Sequence, residues 1–137
     1  MSQAPGPAPR RPRSIDLPKV GHKAPIPLGS RVGNILCTSS LIGKDPADGS
    51  LPADGATQVA HVFTHMRALL AAGGASLQDV VRVGITLADD SLRDVINTHW
   101  LACFPDPADR PARHISVHPL AHGMALQLEL MAVVAER

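Results

Sequence analysis

From Met124 to Val134 the chain alternates without a break. Met124, Leu126, Leu128, Leu130, Ala132 and Val134 take every second place, and Ala125, Gln127, Glu129, Met131 and Val133 fill the places between. Successive side chains of a strand point to opposite faces, so this period of two predicts a half-buried strand. Arg113–Pro119 reads as another strand and Ala121–Gly123 as a turn, which predicts a β-hairpin over Pro111–Val134. In its first arm Arg113 shares a face with Ile115 and Val117. A guanidinium among apolar neighbours must find an acceptor, and its planar fork suits a carboxylate of the protein or of a small ligand.

The rest of the chain supplies partners for that sheet. Asp54 is a good N-cap, and Val59, Val62, Phe63, Met66, Leu69 and Leu70 recur behind it at helical spacing until Gly73-Gly74. A helix is therefore expected to about Ala72. Asp79–Ala88 reads as a strand with Val81, Val83, Ile85 and Leu87 on one face. Ser91 is the expected cap of a second helix ending at Phe104, with Leu92, Val95, Ile96, Trp100 and Phe104 on its apolar side and Pro105-Asp106-Pro107 as its stop. Earlier in the chain, Ser14–Leu17 and Ile26–Leu28 are short strand candidates, Arg31–Asn34 a turn, Ile35–Ile42 a strand and Lys44–Gly49 a loop.

This order predicts an α+β domain: a mixed β-sheet with two long helices packed on one face by right-handed crossovers. The other face would carry Arg113, Ser39 or Ser40, Gln127 and small apolar residues. No third layer is left to cover it, and such a face usually meets another copy of itself.

Length and composition narrow the function. A chain of 137 residues supports one domain, expected over residues 14–137. Met1–Arg13 carries Pro5, Pro7, Pro9 and Pro12 with Arg10, Arg11 and Arg13, and reads as a disordered arm. No apolar run is long enough for a membrane span and no secretory leader is visible, so a cytoplasmic protein is expected. Cys37 and Cys103 are expected to be buried thiols on separate elements. A net charge of +1, with Phe63, Trp100 and Phe104 as the aromatic side chains, disfavours nucleic acid as a partner. His61 and His65 stand four apart on one helix, a spacing open to a metal or to two solvated surface histidines; no third ligand is evident, and no metal site is assigned.

Several segments in register resemble the Rid (YjgF) family: Arg-Val-Gly-Asn-Ile-Leu-Cys-Thr-Ser at 31–39, Asp-Pro-Ala-Asp-Gly at 45–49, Ala-Gly-Gly-Ala-Ser-Leu-Gln-Asp-Val-Val at 72–81, Val-Ile-Asn at 95–97 and Arg-Pro-Ala-Arg at 110–113. The resemblance runs over about residues 21–134. It implies a chorismate-mutase-like fold, a homotrimer built around a β-barrel and ligand clefts between subunits. The implied activity, which needs no cofactor, hydrolyses enamine or imine intermediates such as 2-aminoacrylate to 2-oxo acids and ammonia. By the same resemblance Arg113 matches the arginine that grips a substrate carboxylate, and Ser39 a serine lining the cleft. Ser40 stands where the family has glycine, and Ile26 near a family tyrosine that this chain lacks. The glutamate associated with the hydrolytic water aligns with Gln127, while Glu129 lies two residues on and points to the same face. Loss of that tyrosine and glutamate keeps a second reading open, a non-catalytic module binding small carboxylates or 2-oxo acids. For Arg113 a structural ion pair with Glu129 is the alternative to ligand binding.

Overall fold

Asp54 sets the first long element in place. Its carboxylate accepts from the Thr57 backbone N–H at 3.0 Å and from the Thr57 hydroxyl at 2.6 Å, satisfying a donor that a helix start leaves free. In the structure, a computed structural model that describes residues 12–135, helix α1 then spans Gly55–Ala72. Its stripe from Val59 to Leu70 is buried as the spacing predicts. Gly73 closes the helix through N–H bonds to the Leu69 and Leu70 carbonyls. Helix α2, Arg93–Cys103, buries Ile96 and Trp100, and Phe104 is buried at its end. Its approach is held by Asp89 rather than by the expected Ser91: the Asp89 carboxylate accepts the Ser91 N–H at 2.9 Å, heading a short 3-10 turn that leads into α2.

The strands are β1 Ser14–Ile15, β2 Gly29–Val32, β3 Ile35–Thr38, β4 Leu41–Ile42, β5 Val80–Leu87, β6 Ala112–Val117 and β7 Leu126–Val133. They form one seven-stranded sheet in the order β1-β2-β3-β7-β5-β6, with β4 also paired to β7. The expected hairpin over Pro111–Val134 therefore does not form. β7 lies between β3 and β5, antiparallel to both, while β6 lies beyond β5 and parallel to it. Two causes are visible. Helix α2 is a crossover, which returns the chain parallel to the strand it left. β7, with every second residue buried, belongs between two neighbours, whereas β6 exposes most of its residues and suits an edge.

One face of the sheet meets both helices. Leu36, Leu41, Val83, Ile85, Leu87, Leu126, Leu128, Leu130 and Ala132 join the α1 and α2 stripes in a single core. The opposite face has no covering layer within the described residues, and Val32, Ile35, Met131 and Val133 are 36–48% exposed. The architecture is thus a mixed α+β fold with two helices on one side of the sheet, as expected. Among the described residues no helix is long and apolar enough to cross a membrane.

Local departures follow from bulges. The strand expected over Ile35–Ile42 breaks at Ser39-Ser40, because pairing with β7 changes register between Cys37↔Met131 and Leu41↔Leu128, inserting one extra residue. The Thr38 hydroxyl fills the gap by accepting the Leu130 N–H at 3.0 Å. Val81, expected inside, is exposed because a shift between Val80 and Arg82 turns Val80 inward in its place. Ile26–Leu28 is not a strand; β2 begins at Gly29, and the turn shrinks to Gly33-Asn34, with Gly33 at φ +60. Of the arm expected over Met1–Arg13, residues 1–11 lie outside the described residues. Sheet pairing starts at Arg13, whose carbonyl accepts the Arg31 N–H at 2.9 Å.

Candidate functional site

Alternation places Gln127 and Glu129 on the open face, and the strand order decides what stands beside them. Glu129 is opposite Gly84 on β5, which is opposite His114 on β6; Gln127 is likewise in line with Thr86 and Ser116. Gly84 has no side chain, so its row is hollow. A cavity of about 140 Å³ opens there, lined by Ser40, Arg82, Thr86, His114, Ser116, Gln127 and Glu129. A Cβ at Gly84 would stand 3.3 Å from Arg82 Nη1 and 3.5 Å from Glu129 Oε1, so both charged groups lean over the hollow. The Glu129 carboxylate has no hydrogen-bond or ion-pair partner among the described residues, and Gln127 Nε2 makes only a 3.6 Å contact with Met124 Sδ.

The bulge between β3 and β4 separates the two candidate serines. Ser40 lines the cavity. Ser39 faces away, its hydroxyl donating to the Pro27 carbonyl and its N–H to the Leu28 carbonyl, both at 2.8 Å. Ile26 is exposed in the loop ahead of β2 and does not line this cavity.

Arg113 is elsewhere. It pairs with Val83, a core residue, so its side chain faces the helix layer and not the open face expected for it. The guanidinium carbon lies 4.8 Å from the centroid of the Trp100 ring. Its Nη1 is buried with no hydrogen-bond partner. Burial, and secondarily repulsion from Arg93, holds its pKa below the ordinary arginine value. Arg93 itself is bound by Asp90 at 2.8 Å. The alternative ion pair between Arg113 and Glu129 is absent, since the two residues occupy opposite faces of the sheet. Within one chain, then, Arg113 and Glu129 are on opposite sides of the sheet.

Other sequence candidates resolve differently. His65 is buried, not solvated: its Nε2 donates to the Lys44 carbonyl at 2.6 Å, and His61 Nδ1 donates to the Gly43 carbonyl at 3.1 Å. The pair clasps the loop ahead of α1, and no group of metal ligands joins it among the described residues. Neither cysteine is fully buried. Cys37 is exposed, and Cys103 is half-buried with Arg67 Nη2 donating to its Sγ at 3.2 Å. Arg82, Thr86 and His114 were not among the sequence candidates for the site. The alternation Arg82, Gly84, Thr86 was legible on β5, but its place beside Gln127 and Glu129 depends on β7 pairing with β5 rather than with β6.

Residues 27–134 match the family described as Endoribonuclease L-PSP. A RutC family protein of Pyrococcus abyssi is 31% identical over 118 residues, 81% of this chain and 91% of its own length. The 2-iminobutanoate/2-iminopropanoate deaminase of Escherichia coli is 29% identical over 107 residues, 77% of this chain and 84% of its own. Among solved structures, RidA from an Antarctic Psychrobacter superposes with a TM-score of 0.79 at 28% identity, covering 88% of this chain and 98% of the other. The chain belongs to the Endoribonuclease L-PSP family, the Rid (YjgF) family that its motifs resemble.

Proposed function

We propose that the protein hydrolyses carboxylate-bearing imines and enamines of the 2-aminoacrylate type to 2-oxo acids and ammonia, at clefts shared between copies of the chain in a homotrimer. The observation that carries this is Arg113, a partly desolvated cation whose guanidinium has no acceptor among the described residues. Leaving a desolvated cation unmatched is costly, so an anion of the right shape is bound where the fork can reach it. Family membership and the name of the E. coli relative support an imine as the rest of that ligand.

In this reading Arg113 grips the carboxylate. Glu129 takes a proton from water, Gln127 orients that water, and Ser40 and the His114 edge shape the cavity; Ser39 and Ile26 act through the loop that Ser39 holds. The oxygen of water bonds to the imine carbon while the nitrogen gains a proton. Collapse of the resulting carbinolamine breaks the C–N bond, releasing ammonia and leaving the ketone. The imine is already an activated electrophile, so orientation and one proton acceptor suffice without a metal or cofactor. One ligand cannot touch Arg113 and Glu129 of the same chain, because they face opposite sides of its sheet. A cleft between copies removes that obstacle, and the apolar side chains exposed on the open face give the copies a surface to bury.

A second reading, a non-catalytic binding module for small carboxylates, is favoured by Gln127, whose amide cannot accept a proton at neutral pH. The family description names an endoribonuclease, but a net charge of +1 and so few aromatic side chains offer little to a phosphate backbone. The separating experiment is a coupled assay with enzymatically generated 2-imino acids, measured against buffer. Acceleration is expected; calorimetric binding of 2-oxobutanoate without acceleration would select the binding module.

A further inference from the structure

We propose that Trp100 is a positioning residue for Arg113: an indole face, in place of a carboxylate, holds the guanidinium and leaves its hydrogen-bonding edge free for the ligand. The inference rests on the ligand-binding reading of Arg113. The guanidinium carbon stands 4.8 Å from the ring centroid, well inside cation–π range. No acidic side chain pairs with Arg113 among the described residues, and Nη1 is buried without a partner. A protein carboxylate in the same role would take two N–H groups of the fork and compete with the ligand. An aromatic face attracts the cation through its ring quadrupole and takes no conventional N–H hydrogen bond from the fork.

The shelf is itself fixed. Trp100 is 8% exposed and packs against Phe104, with ring centroids 4.7 Å apart and planes inclined by 58°. The Phe104 N–H returns to the Trp100 carbonyl at 2.8 Å, and Arg110 Nε donates to the Phe104 carbonyl at 2.9 Å, locking the end of α2. With no carboxylate paired to it among the described residues, the cation rests on the ring face. The ligand this arrangement takes is a small monocarboxylate, recognised edge-on.

The test compares Trp100→Leu, which removes the face, with Trp100→Phe, which keeps a weaker one. Calorimetry with 2-oxobutanoate should give about 3- to 30-fold weaker binding for Trp100→Leu, and partial recovery for Trp100→Phe. Binding of the neutral analogue 2-oxobutanamide should be little altered in either, which a merely structural role would not predict. Trp100 is the one tryptophan in the sequence, so its fluorescence reports on the native protein even where Trp100→Leu fails to fold. Saturating 2-oxobutanoate should change the emission of the native protein and leave that of Arg113→Gln unchanged. A native protein that binds 2-oxobutanoate with no emission change, or a folded Trp100→Leu that binds it equally well, overturns the role of Trp100 while sparing the function. Absence of any 2-oxobutanoate binding to native protein overturns the reading of Arg113 on which the inference stands.

Discussion

Replacing Gln58 with Met would test how the entrance to β7 is held. Gln58 is fully buried in α1, and its amide makes three hydrogen bonds: Nε2 to the Pro52 carbonyl at 2.8 Å, Nε2 to the Gly123 carbonyl at 2.9 Å, and Oε1 from the Ala125 N–H at 2.8 Å. These ties fix Gly123–Ala125, just ahead of Gln127. Methionine keeps the length and most of the volume, so the change isolates the polar contacts. Each bond contributes about 0.5–1.5 kcal/mol net, and an orphaned buried partner adds about 1–3 kcal/mol. Pro52 and Ala125 are half-buried and Gly123 is exposed, so water can offset part of what the lost amide leaves unpaired. A loss of about 2–4 kcal/mol is therefore expected, or roughly 8–16 °C in Tm for a chain of this size. Urea unfolding at matched protein concentration should show a lower midpoint with an unchanged slope. A loss below about 0.5 kcal/mol, the scatter of ordinary surface changes, would refute the assignment of Gln58 as a buried tie.

Glu129→Gln should lower imine hydrolysis by about 10²–10⁴-fold with 2-oxobutanoate binding little changed, and adding Gln127→Glu to that variant should restore part of the rate, because both side chains line the same cavity. Steady-state kinetics on the single and double variants check this. Arg113→Lys keeps the charge and loses the fork, so calorimetry should show 2-oxobutanoate binding weaker by about 1–3 kcal/mol. Burial holds the His65 pKa below its ordinary 6.5, so the unfolded chain binds the extra proton more readily. His65 should thus favour folding fully above about pH 6.5 and lose that contribution as pH falls toward the lower folded value; the pH dependence of urea midpoints should flatten in His65→Gln.

Much of the fold was legible because strong local signals agreed with it. The Asp54 cap, the stripe from Val59 to Leu70, the Gly73 stop and the alternation from Leu126 to Val134 all describe a residue's own element, which local periodicity determines. What failed was pairing. Arg113–Pro119 and Met124–Val134 are neighbours in sequence, and a short turn favoured a hairpin. The strand with more buried side chains instead took the centre of the sheet, a choice made by the helix layer and invisible to local pattern. The site inherited that error. With β6 placed beside β7, Arg113 was assigned to the face of Gln127; with β6 beside β5, its parity follows Val83 and turns it to Trp100. Bulges were likewise hidden, because one extra residue at Ser39-Ser40 or Val81 reverses the faces beyond it without leaving a signature in residue type.

If Arg113 and Glu129 serve one ligand from two copies of the chain, as proposed, co-refolding two inactive variants restores activity that neither has alone. Arg113→Gln and Glu129→Gln proteins, each alone, should have little activity. Mixed in equal amounts and refolded together, they place an intact arginine beside an intact glutamate at about a quarter of the interfaces, from two independent even chances at each interface. Imine hydrolysis should therefore recover to roughly a quarter of the native rate. Co-refolded assemblies that contain both variants and show no recovery would contradict the shared cleft.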